Sequence, residues 1–144
     1  MKNVVDFCGD LLAQMRLELT AEGIERNGEF CINITGPDRP YLLSNTASLL
    51  NNIEYLLNRV FPGNRKDAGI SLDSDNYRHH RELELRLLAQ MASQKVLASG
   101  KPLTLQAMIP QERKIVHTAL SEINGVTSRS DGDGEERSVT IYLV

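Results

Sequence analysis

Arg113 and His117 are the two residues whose types and spacing most directly suggest chemistry. Four residues apart on a helix, they share one face. A guanidinium grips phosphate, and an imidazole beside it contacts a second phosphate oxygen or stacks on a base. The segment 110–120 predicts the helix they need. Pro110 suits the first helical position, and Glu112 sits where the helix dipole favours an anion. Ile115, Val116, Ala119, Leu120 and Ile123 form one apolar stripe at helical spacing. The arrangement points to nucleic-acid binding rather than catalysis. No nucleophile or carboxylate partner accompanies His117, so an enzymatic base is a distant alternative.

Other elements must hold that helix in place. Asp75 is placed to cap a helix running to about Ser99, with Leu83, Leu87, Leu88, Met91 and Ala92 as its buried face. Gly100 is a fitting stop. A short strand over 103–106 precedes the Arg113 helix, and 126–130 with 138–143 read as a hairpin. Upstream, residues 4–15 read as a helix with Val5, Cys8, Leu11, Leu12 and Met15 on one side. Alternation from Arg16 to Ile24 predicts a strand, Arg26-Asn27-Gly28-Glu29 a hairpin turn, and Phe30, Ile32 and Ile34 the returning strand. Gly36-Pro37-Asp38-Arg39-Pro40 breaks the chain. An apolar stripe from Leu42 to Phe61 then fits one helix, or two joined at a tight turn. Pro62-Gly63-Asn64 ends it, and residues 70–73 form a short strand.

The run from Asp73 to Val144 resembles the R-three-H domain, a small module that binds single-stranded nucleic acid. The matching pieces are Asp73, Tyr77-Arg78, Arg81, Gly100-Lys101-Pro102-Leu103, the segment 112–120, Gly125-Val126-Thr127, Ser130-Asp131-Gly132 and Arg137. With the preceding segment, the chain resembles the paired KH and R-three-H part of the SpoIIIJ-associated (Jag-like) bacterial proteins. The resemblance implies an α+β fold. Residues 1–74 would be a KH-like domain of type II, in the order αββααβ. Residues 75–144 would be an R-three-H domain with a long helix, a strand, a helix and a β-hairpin.

The KH resemblance fails at one place. KH domains clamp nucleic acid with a Gly-x-x-Gly loop, whose glycines let the backbone approach the phosphates. Here that loop falls on Ser44-Asn45-Thr46-Ala47, with no glycine and no basic residue. The first half is therefore expected to have lost most nucleic-acid contact. Asn45 and Thr46 bonding a phosphate is the lesser alternative. The resemblance also implies pairing of KH domains, so a homodimer or a small KH-domain partner is an expectation.

Charge agrees with this division. The chain carries net charge −3; residues 1–75 hold 7 basic and 11 acidic side chains, and residues 76–144 hold 9 and 8. A polyanion would meet the second part, with modest affinity. No apolar run has the length of a membrane span, and acids interrupt the first ten residues, so neither insertion nor a signal peptide is expected. A cytoplasmic protein follows, with Cys8 and Cys31 as free core thiols.

Two apparent metal motifs read as structure. The acidic turn 131–136 would need its closing bidentate glutamate at Tyr142. His79 and His80 point about 100° apart on a helix and cannot share an ion easily. No metal or other cofactor is expected.

The function expected is binding of single-stranded nucleic acid, RNA before DNA, with little sequence preference. Arg113 and His117 lead the site. Arg137, Arg78, Arg81 and Arg129 support it, and Lys114 is poorer because it lies about 100° around the helix. The alternative is a protein–protein adaptor, in which the KH-like half docks a partner and His117 merely bonds a carbonyl.

Overall fold

The computed structural model describes residues 2–26, 29–62 and 69–144. It is an α+β structure with four α-helices and two three-stranded sheets among these residues. The chain divides into two compact units, Met1–Arg78 and His79–Val144. No described helix is long and apolar enough to cross a membrane.

The first unit opens with α1 (Lys2–Gln14), which buries Val4, Cys8 and Leu12 at successive turns. Met15, expected on that face, is exposed because it lies beyond the helix end. The strand expected from Arg16 starts later, as β1 (Thr20–Arg26). Arg16 instead closes the helix with φ +59, and the Leu17 N–H donates to the Leu12 carbonyl. β1 pairs antiparallel with β2 (Glu29–Thr35), which pairs parallel with β3 (Ser71–Asp73). The Asn27-Gly28 turn and the Gly63-Asn64 stop lie outside the described residues.

α2 (Arg39–Val60) covers this sheet with Leu42, Leu50, Ile53 and Leu57. Its helical geometry breaks at Ser44–Ala47, so of the two expected forms the chain takes two helical pieces around a tight turn. Asn45, Thr46 and Ala47 have φ +53, +54 and +62. Only Asn among the three tolerates that left-handed region well.

The second unit is built from α3 (Tyr77–Ser99), β4 (Leu103–Thr104), α4 (Pro110–Ser121), β5 (Val126–Asp131) and β6 (Ser138–Leu143). The first two residues of α3 belong to the first unit and the rest to the second. Asp75 does not cap it. Asp75 has φ +47 and its N–H donates to Asn33 Oδ1, while Asp73 Oδ1 accepts the Arg78 N–H at 3.2 Å. β6 is the central strand, antiparallel to both β4 and β5.

The face of α3 that packs is not the one expected. Leu85, Ala89, Ala92 and Val96 are buried against Val116, Leu120, Val139 and Ile141. Leu83, Leu87, Leu88 and Met91 are 52%, 56%, 40% and 55% exposed. The helix is apolar on both sides, and the side that carries Ala89 and Ala92 is the one that joins the core of the second unit.

Candidate nucleic-acid interface

Pro110 starts α4 as expected, and the Arg113 N–H donates to the Ile109 carbonyl at 3.0 Å. Val116, Ala119 and Leu120 bury the helix against the sheet. That leaves Arg113 and His117 half-buried on the flank facing β5.

His117 bridges two serines of that strand. Its Nδ1 lies 2.7 Å from Ser128 Oγ, and its Nε2 lies 2.6 Å from Ser130 Oγ. Side chains of a strand alternate between faces, so Ser128 and Ser130 both point toward α4. A neutral imidazole donates from one nitrogen and accepts at the other. The ring is thereby fixed at both ends, and a phosphate oxygen could reach either nitrogen only by displacing a serine.

Arg113 belongs to the same network. Its Nε donates to the Met108 carbonyl at 3.0 Å, and the Met108 N–H donates to the Arg137 carbonyl at 3.1 Å. Arg137 in turn donates from Nη2 to the Ser130 carbonyl at 3.3 Å and from Nη1 to the Gly132 carbonyl at 3.1 Å. Arg113, Arg137 and His117 thus join through Met108 and Ser130. Among the described residues the Nη groups of Arg113 have no hydrogen-bond partner, so the charge is held at its base and presented at its tip.

The electrostatics of the pair are visible at His117. Burial first, and the Arg113 charge second, lower its pKa below the ordinary 6.5. The unfolded chain therefore takes up a proton there at higher pH than the folded chain. Stability from this residue is complete above about pH 6.5 and is lost as the pH falls from there toward the folded pKa. Melting curves at about pH 7.5 and about pH 5.5 should show a larger acid-side loss for the native chain than for His117→Gln. Equal losses would show that His117 folds without preference for its neutral form.

The remaining expected residues do not join this network. Lys114 is exposed and turned away around the helix. Arg129 is on β5 but one residue out of phase with the serines, so it faces the opposite side of the sheet. There its guanidinium sits 5.4 Å from the Tyr142 ring centroid and bonds the Tyr142 hydroxyl at 3.1 Å. Arg81 forks onto Glu112, Nε to Oε2 at 2.8 Å and Nη2 to Oε1 at 3.3 Å, and its Nη1 meets Glu84. Arg78 belongs to the first unit. Its guanidinium donates to the Leu72 carbonyl, Asn51 Oδ1 and Glu54 Oε2 at 2.7, 3.0 and 3.1 Å. Arg78 and Arg81 are thus each paired with a carboxylate of their own unit.

The Ser44–Ala47 turn presents Asn45 and Thr46 to solvent while Ala47 is fully buried. The Thr46 hydroxyl donates to the Asn45 carbonyl at 2.7 Å, and the Ser44 hydroxyl to the Tyr41 carbonyl at 3.1 Å. No positive charge lies in the turn itself.

Ser128 and Met108 are site residues that the sequence does not single out, and Ser130 enters the sequence reading only as part of the Ser130-Asp131-Gly132 turn. The two serines leave a faint signal: small polar residues at alternate positions, on the strand face where apolar side chains are expected.

Comparison with known proteins places the chain in a family. Residues 83–143, which include Arg113, His117, both serines and Arg137, match the family model of the R-three-H domain. A Clostridium symbiosum protein named RNA-binding protein KhpB is 32% identical over 130 residues, covering 90% of this chain and 59% of that protein. The Bacillus subtilis (strain 168) protein of that name is 31% identical over 144 residues, covering 90% of this chain and 68% of that one. The chain belongs to the KhpB family. A Streptococcus pneumoniae (serotype 2, strain D39) KhpB is 35% identical over 87 residues, which is 60% of this chain and 25% of that protein. The chain thus spans about three-fifths of the length of the Clostridium KhpB, and its match to the streptococcal KhpB takes in a quarter of that protein.

Proposed function

We propose that this chain binds single-stranded nucleic acid, RNA in preference to DNA, through the α4–β5 face. The observation that carries the reading is the network joining Arg113, His117 and Arg137 through Met108 and Ser130. It aims a guanidinium outward beside a ring held in a fixed plane. Arg113 takes a phosphate, and His117 offers its ring to a base while its nitrogens stay on the serines. Arg137 holds the hairpin carbonyls in register and adds charge to the same face. Lys114 is a weaker outer contact. The preference for RNA rests on the names of the KhpB relatives. A cation and a ring read few base edges, so sequence selectivity is low.

On this reading residues 75–144 form the R-three-H domain and residues 1–74 a KH-like domain that lacks the Gly-x-x-Gly loop. The first unit keeps exposed Tyr55, Leu56 and Val60 on α2, which suit a small KH-domain protein as partner. The chain acts as a binder and not as an enzyme. It works in the cytoplasm, where Cys8 stays a buried thiol with its pKa pushed up to about 11 by desolvation.

Fluorescence anisotropy with a labelled single-stranded RNA tests the assignment, at about 50 and about 200 mM salt. Arg113→Ala/His117→Ala is expected to weaken binding at least about tenfold and to shallow the salt slope by about one. Arg129→Ala, on the opposite sheet face, should change affinity much less. No binding by the native chain at low salt would sink the proposal. Equal losses in the two variants would move the site off the α4–β5 face.

A further inference from the structure

The outer face of α3 carries a second apolar stripe. At 100° per residue, Leu83, Leu87, Met91, Gln94 and Ala98 fall within about 80° of arc. That arc lies opposite Leu85, Ala89, Ala92 and Val96, which fill the core of the second unit. Leu88 and Leu97 flank it, and all five large side chains are between 40% and 56% exposed. A helix with two apolar faces has a surface to bury on each side. This stripe is about 24 Å long with Gln94 as the polar member of its arc, which is more than scattered surface leucines.

We propose that this face pairs with the same face of a second copy of the chain, the two α3 helices running antiparallel. The charges at the stripe's edge carry the choice of occupant. Glu84 and Lys95 lie on the same flank, about 20° apart around the helix. In a two-fold antiparallel pair like flanks meet. With Leu87 packed on Met91 of the second copy, each Glu84 comes level with Lys95 of the other chain. The ion pair therefore forms twice. A parallel pair would set Glu84 against Arg86 but leave Lys95 beside the apolar Leu97. Glu84 is free to turn outward: its side chain is 68% exposed, and the Arg81 it touches is already forked onto Glu112. Among the described residues Lys95 makes no ion pair. The stripe shares no residue with the Arg113 network, so the inference does not depend on RNA binding.

Sedimentation velocity of the intact chain, without RNA, tests it. The native chain is expected to dimerise at tens of micromolar, and Leu87→Glu/Met91→Glu to stay monomeric with an unchanged far-ultraviolet circular dichroism spectrum. Both positions are exposed in the single chain, so these changes spare its core. Glu84→Lys and Lys95→Glu should each weaken the dimer about tenfold, and their combination should recover most of the loss. A native chain that stays monomeric overturns the proposal. So does a dimer that survives Leu87→Glu/Met91→Glu, because another surface then makes it. Failure of the combined charge reversal to recover the dimer overturns the antiparallel register.

Discussion

Arg81→Met is expected to destabilise the second unit by about 3 kcal/mol, in the range for a buried ion pair that loses one partner. Glu112 is only 6% exposed, and the Arg81 fork engages both of its oxygens. Without Arg81 the carboxylate stays desolvated in the first turn of α4, with the helix N-terminus as partial compensation. The pair also ties α3 to the start of the helix that carries Arg113. Replacing both partners, as Arg81→Met/Glu112→Leu, should return most of the stability, because two apolar groups of similar volume need no counterion. Urea denaturation of the native chain and both variants measures this. A double variant no better than the single would show that Arg81 acts through its other contacts.

The same pair shows what the sequence could and could not disclose. Glu112 is readable as an anion at a helix start, and it is one. Its partner lies 31 positions away on another helix, and no local pattern connects them. Arg81 and Arg78 therefore read as phosphate ligands in the sequence, although each is paired with a carboxylate of its own unit. Local periodicity serves well where one face of an element is apolar. The α4 stripe, the order of strands and helices, and the hairpin from Val126 to Leu143 are where the pattern puts them. It fails on α3, where two apolar faces compete and the larger side chains are not the buried ones. Nor can it foresee left-handed backbone at Asn45, Thr46 and Ala47, where no glycine announces it. Within the site, the spacing of Arg113 and His117 is visible. The serines that orient the ring come from a strand packed across, and only folding brings them there.

Gly36→Ala is expected to cost the first unit roughly 3 kcal/mol or more, because it meets both strain and overlap. Gly36 has φ +144, a region that residues with a Cβ rarely enter. A Cβ built there would overlap the Glu18 carbonyl oxygen and lie 3.0 Å from Leu19 Cα, and neither backbone atom can swing aside. The backbone cannot simply retreat either. Asp38, two residues on, accepts the Glu18 N–H on Oδ2 at 2.6 Å and donates its own N–H to the Glu18 carbonyl at 3.3 Å. This clamp joins the approach to β1 with the start of α2. A lower melting midpoint in Gly36→Ala would measure the strain. RNA affinity, taken well below that midpoint, should stay within about twofold of the native value, since the α4–β5 face belongs to the other unit. A large loss of affinity in a still-folded Gly36→Ala protein would mean that the first unit touches the nucleic acid despite its glycine-free turn.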